Sequence, residues 1–174
     1  IVAAVGQDPA TTTVKWDGKP AIIFGRQDDG SFVLTDVAGF TAKGYNGLFT
    51  SPRQIAQQMA ARDAAAAAKG GAATRTEQLT PIYTTLWPQL EAAVPKKFRG
   101  FIHGDLLYMT TPPLQAGNYV FQPNTIEYRI PAASDVGRRI GSSEQGVAVH
   151  TYYAEPGAAK QPVTPQLMSE LKPV

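Results

Sequence analysis

The stretch TTTVKWDGKPAIIFGR, residues 11–26, decides how the rest of the chain is read. Its β-branched opening favours an extended strand that ends on Lys15. Trp16, Asp17 and Gly18 follow at once, and Asp-Gly is turn chemistry. The apolar run at 20–24 then reads as a second strand returning beside the first. The expected product is a hairpin that presents an amine.

An amine so placed has a use in covalent catalysis. A lysine ammonium is a poor nucleophile at neutral pH unless burial or neighbouring positive charge lowers its pKa, and Val14, Trp16 and Ile22 would form the apolar wall. Asp17 falls on the same face of an extended segment as Lys15, where it would orient the amine or help hold a metal. Gly18 removes a side chain where a ligand approaches the backbone. The plainer alternative is a surface hairpin in which Lys15 and Asp17 form a solvated ion pair worth under about 1 kcal/mol.

The whole chain of 174 residues has the length of one domain with a sizeable core. Hydrophobic residues at 43% and charged residues at 17% are ordinary globular proportions. A formal net charge of +2 does not argue for nucleic acid without clustering of the basic residues. There is no cysteine, which excludes disulfides and thiolate metal sites. No apolar run approaches the roughly 18 to 20 residues of a membrane span, and no signal peptide is visible at Ile1, so a soluble chain with no membrane partner is expected.

Downstream, Asp28-Asp29-Gly30 is a turn signal, and 31–37 alternates as a third strand of an antiparallel meander. Residues 39–49 carry three glycines with Lys43, Tyr45 and Asn46, the composition of a mobile, ligand-binding loop. Ser51 and Pro52 supply the N-cap and first position of a helix that runs to Lys69 and stops at Gly70-Gly71. Its alanine run, 64–68, buries little and is expected to be exposed. A flexible stretch at 69–76 leads to a second helix over 77–94. There Leu79, Ile82, Tyr83, Leu86, Leu90 and Val94 recur at helical spacing, and Pro88 is expected to kink or split it.

The second half returns to strands. FRGFIHGDLLY, 98–108, puts His103 and Asp105 on one face and Ile102, Gly104 and Leu106 on the other. A proline-bearing loop at 110–116 precedes short strands at 118–122 and 125–130, a short helix at 134–140, and a strand at 147–153. Beyond Tyr153 the chain is proline-rich, with a possible short helix over 165–171. The expected division is a domain over 1–153 and a tail over 154–174.

Lys15-Trp16-Asp17-Gly18 resembles the K-x-D-G motif of the covalent nucleotidyltransferases, the superfamily of DNA ligases, RNA ligases and mRNA capping enzymes. The longer strings KWDGKPAIIFG, HGDLLY, FQPNTIEYRIP and GVAVHTYY are similar in order and wording to an uncharacterised ligase-like family of large tailed bacteriophages. This resemblance runs over residues 11–153. It implies an α+β fold, antiparallel sheets flanked by two helices, forming a ligase-type nucleotidyltransferase (adenylation) domain with Lys15 in a cleft. It further implies that Lys15 attacks the α-phosphate of ATP or GTP in the presence of Mg²⁺ and forms a lysyl-NMP phosphoramidate. Nucleic acid would be the acceptor, in end joining or repair, and the location would be the cytoplasm of an infected host.

Other positions are assigned through the same resemblance. Thr41-Ala42-Lys43-Gly44 is similar to the second motif and gives Lys43 a phosphate contact, with lysine where arginine is usual, so the bidentate fork is lost. Gly104-Asp105 matches an F-x-G-E string and gives Asp105 a ribose or metal contact with a shorter acid. Tyr119 and Phe121 offer the aromatic that stacks on the base, Phe121 being the one assigned; a core position wants the same side chain. The metal-binding acid of an E-G-[VL] string would be Glu144, although Gln145 holds the place directly before Gly146, and a one-residue slip turns a strand side chain to the other face. His150 stands where many ligases have a basic residue. The final K-x-K motif is missing, and Lys160 and Lys172 are isolated.

Two further readings compete with the ligase-like enzyme. One is a catalytically degenerate module of the same fold that binds nucleotide or nucleic acid, or serves as a phage structural component. The other is a metal-dependent hydrolase built on His103, Asp105 and His150, residue types that suit a divalent transition metal. That reading requires His150 to come near the other two.

Overall fold

The computed structural model describes residues 16–42 and 46–172. Its main sheet is built outward from β3 (Gly100–Tyr108), which pairs antiparallel with β1 (Ala21–Arg26) on one edge and β7 (Gly146–Tyr153) on the other. Next to β1 lies β2 (Phe32–Thr35), and next to β7 lies β8 (Gln161–Pro162), giving the order β2-β1-β3-β7-β8. Strand side chains alternate between faces. One face therefore carries Ile22, Phe24, Leu34, Ile102, Leu106 and Val149, and it is covered by α2 (Pro52–Ala67) and α3 (Arg75–Ala93) through Ile55, Met59, Tyr83, Leu86 and Leu90. Burial on this scale, at about 25 cal/mol per Å² of apolar surface, is the main force holding the layers together.

The helices form where their end signals place them. Ser51 accepts from the Gln54 N–H as N-cap, and Gly70 takes the left-handed conformation, φ 72°, just past the end of α2. The alanines at 64, 65, 67 and 68 are exposed, as expected. Pro88 does not split α3, which continues through both Pro81 and Pro88. Tyr83 and Leu86 before Pro88, and Leu90 after it, are all buried on the sheet, and this packing outweighs the local penalty. The Tyr83 hydroxyl donates to the Ala21 carbonyl at 3.2 Å, fastening α3 to β1.

Two charged residues hold the ends of α3. Asp63 of α2 accepts from the backbone N–H groups of Arg75 at 3.0 Å and Thr76 at 2.7 Å, supplying partners to amides that a helix start leaves unpaired. The stretch before α3, expected to be flexible, is thus latched where it enters the helix. At the other end Arg26, 6% exposed, donates to the carbonyls of Glu91, Val94 and Pro95, and also to Gly30. Its guanidinium supplies donors to the carbonyls that a helix C-terminus leaves open, and it also lies 5.6 Å from the centroid of the Phe32 ring.

The second sheet consists of β4 (Leu114–Gln115), β5 (Asn118–Phe121) and β6 (Tyr128–Pro131), all antiparallel, with α4 (Asp135–Gly141) beside it. Phe121 and Tyr128 of this sheet and Ile140 of α4 pack against Leu107, Tyr108 and Ala148, on the main sheet's face away from α2 and α3. The architecture is α+β with antiparallel sheets. The two long helices flank the main sheet, and three shorter ones lie elsewhere among the described residues.

Several local expectations change. Lys15 and the strand expected before it lie outside the described residues, as does Lys43. Residues 16–18 are not a strand, and β1 is paired by β2 and by β3 from the second half of the chain, so the local meander does not form as drawn. The glycines of 39–49 serve close packing rather than mobility at both ends of the segment. Phe40, at the end of α1 (Val37–Phe40), and Phe49 are buried, and a Cβ on Gly47 would come 2.4 Å from the Gly39 Cα. The Thr35 hydroxyl also donates to the Gly47 carbonyl at 2.7 Å. Residues 154–172 pack onto the domain rather than trailing from it. β8 extends the main sheet, Leu171 after α5 (Pro165–Glu170) is buried in the main core, and the Lys172 N–H donates to Ala93 O at 2.8 Å.

Arg26→Lys keeps the charge and loses the fork, leaving buried carbonyls unpaired. Urea unfolding should show a loss of about 2 kcal/mol, whereas an unchanged midpoint would mean that those carbonyls find other partners. The hydrogen bonds that Asp63 accepts, from Thr76 first, hold its carboxyl below 3.8. The stability it adds is complete above that pH and is lost as pH falls through the lower folded-state value. Between pH 5 and 3 the wild type should therefore lose Tm more steeply than Asp63→Asn, and parallel curves would refute the latch.

Candidate functional site

On the face of the main sheet away from the long helices, β3 presents Phe101, His103, Asp105 and Leu107 in succession. Phe101 belongs to an apolar cluster with Ile23, Val33, Phe40 and Tyr153, and Leu107 to the cluster that joins the two sheets. His103 and Asp105 thus form a polar interval between two apolar patches.

His150 joins them through an irregularity in the ladder. The pairing steps from His103↔Thr151 to Gly104↔Val149, so His150 is the extra residue of a β-bulge. A bulge re-aims a side chain, and here the imidazole comes beside both partners. The rings of His103 and His150 are 4.6 Å apart between centroids, at an interplanar angle of 57°. His150 Nε2 stands 3.8 Å from Asp105 Oδ2, and one ligand atom from each of the three lies within 4.8 Å of the others. Among the described residues this is the one group of three or more His, Asp or Glu side chains that can converge on an ion.

The electrostatics favour neutral imidazole at His103. Burial first, then the nearby His150 and Lys160, lower its pKa from 6.5 to about 4. Lys160 enters because β8, which it directly precedes, pairs with β7 at Thr151 and Tyr152. The His150 Nδ1 sits 2.8 Å from the Thr151 hydroxyl, which leaves Nε2 facing Asp105.

Trp16, Asp17 and Gly18 of the K-x-D-G string touch both sheets. Trp16 packs 4.8 Å from Tyr128 and lies nearly parallel to Phe121 at 6.3 Å, centroid to centroid. The Asp17 N–H donates to the Tyr128 hydroxyl at 2.6 Å, while its carboxylate accepts from Asn124 at 3.0 Å and Thr125 at 3.2 Å. Gly18 is pressed on β3, where a Cβ would lie 2.3 Å from Leu106 O and 3.0 Å from Asp105 Cβ. The close approach expected at Gly18 is therefore made by the protein's own strand.

The sequence-predicted residues accordingly separate. Gly18, Asp105 and His150 come together with His103. Asp17 holds the turn of the second sheet. Phe121 is buried among Trp16, Tyr108 and Tyr128. Glu144 is exposed, before β7 and beyond the Tyr108↔Gly146 pair, outside the cluster. Asp105 is then the single carboxylate of a set completed by two imidazoles. That set does not fit Mg²⁺, which takes oxygen ligands; it suits a borderline divalent ion. Sequence reasoning missed Lys160, whose only cue was the short pairing at 161–162, and the roles of Asn124, Thr125 and Tyr128 as the seat of Asp17. A groove of about 330 Å³ at the far end of β1, lined by Arg26 to Asp29, Phe101 and 154–156, contains no histidine, and the Arg26 guanidinium there is already engaged by carbonyls.

The fold and this cluster define an α+β protein of two antiparallel sheets with a histidine–carboxylate cluster on β3 and β7 of the main sheet. The chain belongs to a family of unknown function, DUF6267, which matches residues 72–169 and so spans His103, Asp105 and His150. No curated protein and no solved structure matches the chain. No helix among the described residues is long and apolar enough to cross a membrane.

With a chelator present, NMR titration should place half-protonation of His103 near pH 4, and a value near 6.5 would contradict the burial argument. Above pH 6.5 this residue leaves stability unchanged. Between 6.5 and about 4 the unfolded chain takes the proton first, so stability falls with pH, and His103→Gln should flatten that fall. Gly18→Ala should lower Tm, because its methyl group meets the β3 backbone, and an unaltered Tm would show that the segment is free to move away.

Proposed function

We propose that this chain is a ligase-type nucleotidyltransferase in which Lys15 takes a nucleoside monophosphate from ATP or GTP. The reading rests on the resemblance of residues 11–153 to that superfamily. The observation that carries it furthest is the close approach of Gly18, the last residue of the K-x-D-G string, to β3 at Asp105 and Leu106, where a Cβ on Gly18 would come 3.0 Å from the Cβ of Asp105, the acid of the later glycine–acid string. Two segments far apart in the chain that carry matching motifs meet on β3, and Trp16, the first described residue, directly follows Lys15 in sequence. Neutral Lys15 Nζ attacks the α-phosphorus, an N–P bond forms, the bond to the bridging oxygen breaks with release of pyrophosphate, and the nitrogen gives up one proton to solvent or to the departing pyrophosphate. Nucleic-acid ends are the proposed acceptor. Lys43 is the proposed phosphate contact.

The test is incubation with α-labelled ATP or GTP and a divalent cation, Mg²⁺ and Mn²⁺ in separate arms. Wild type should carry label that withstands denaturation and base and is released by acid, and Lys15→Ala should carry none. Equal labelling of the variant, or none in the wild type, overturns the proposal. Nucleotide retained without a covalent bond would instead support the non-catalytic module, which the missing K-x-K string favours. The hydrolase reading is favoured by the meeting of His150 with His103 and Asp105. Metal-dependent cleavage of a phosphodiester that survives Lys15→Ala and is lost in His150→Ala would establish it over the first.

A further inference from the structure

We infer that His103, Asp105 and His150 bind one divalent first-row transition-metal ion, of the Zn²⁺ or Co²⁺ type in preference to Mg²⁺. The inference stands on the cluster and does not depend on the chemistry of Lys15.

Three observations lead to it. The first is distance. A tetrahedral ion with bonds of about 2.0 to 2.1 Å sets its ligand atoms roughly 3.4 Å apart. The donors here already lie within 4.8 Å, so closing the site takes a shift of roughly 1 to 1.5 Å, which rotation of the more exposed His150 supplies.

The second is the state of the imidazoles. A nitrogen must be unprotonated to ligate. A half-buried imidazole such as His103 usually has a hydrogen-bond partner. Within the described residues, however, His103 makes ring contacts with His150 and Tyr153 and no hydrogen bond. His150 has its Nδ1 against the Thr151 hydroxyl and its Nε2 toward Asp105. An outer partner on one ring nitrogen, with the other nitrogen facing a carboxylate, is the orientation that metal-ligating histidines adopt. At 3.8 Å the His150–Asp105 approach is longer than a hydrogen bond and within ion-pair reach when the imidazole is protonated.

The third is backbone construction. Two ligands two residues apart on β3 and a third delivered by a bulge on the adjacent strand make three donors on one rigid surface. Three protein ligands leave a position for water or a phosphate oxygen, as in catalytic rather than structural sites. Lys160 adds a positive charge nearby.

The test uses the full chain, stripped with chelator and dialysed, with calorimetric titration by Zn²⁺ and by Mg²⁺ at pH 7.5 and Co²⁺ absorption as a second readout. The expected result is one Zn²⁺ per chain, with Mg²⁺ weaker by roughly 100-fold or more. His150→Ala, which changes an exposed side chain and keeps the fold by circular dichroism, should weaken Zn²⁺ by more than about 10-fold and bleach the Co²⁺ band. Asp105→Asn should do the same, and Glu144→Gln should change neither. Zn²⁺ binding that is indifferent to His150→Ala, or equal affinity for Mg²⁺ and Zn²⁺, overturns the site. No nucleotide is present, so this outcome is read separately from labelling of Lys15.

Discussion

The structure depends on one constraint, that β3 is covered on both faces and paired on both edges. A strand in that position has no freedom of register. Moving it by one residue would turn Ile102 and Leu106 away from the long helices and carry His103 and Asp105 into the apolar core. Gly104 sharpens the constraint, because a Cβ there would lie 2.6 Å from the Ala148 carbonyl oxygen of β7. The adjacent strand is therefore drawn in where the bulge occurs, and the bulge turns His150 toward its partners. Packing of one face and chemistry of the other are thus set by the same pleat.

The remaining elements brace that strand. α3 is held at its start by Asp63 and at its end by Arg26, each a charged side chain supplying the partners that helix termini lack. β8 and Leu171 return the last part of the chain to the sheet beside β7 and bring Lys160 near the histidines. The second sheet adds an aromatic floor of Phe121, Tyr128 and Trp16, and it receives Asp17. The site accordingly draws on β3, the bulge of β7, the residue before β8 and the segment at Gly18, with only His103 and Asp105 close together in the chain.

Features of short range were legible from the residues alone. The Ser51-Pro52 cap and the Gly70 stop were visible, as were the helical spacing over 77–94 and the alternation that puts His103 and Asp105 on one face, because each follows from periodicity or from backbone chemistry within one or two turns. Pro88 does not split the helix, since the buried residues on either side of it keep the helix continuous. Gly39 and Gly47, in a segment whose composition suggested a mobile loop, instead pack closely, because Phe40 and Phe49 beside them enter a core.

Composition and pattern determined an α+β chain with antiparallel strands, two long helices and a lysine-bearing K-x-D-G string. Tertiary structure alone decided that β1 pairs with β3, that Asp17 faces a turn more than a hundred residues later, and that His150 stands beside His103 while Glu144 stays apart. The physical reason is that strand pairing and bulge position are settled by contacts between segments distant in the chain, which no window of neighbouring residues encodes.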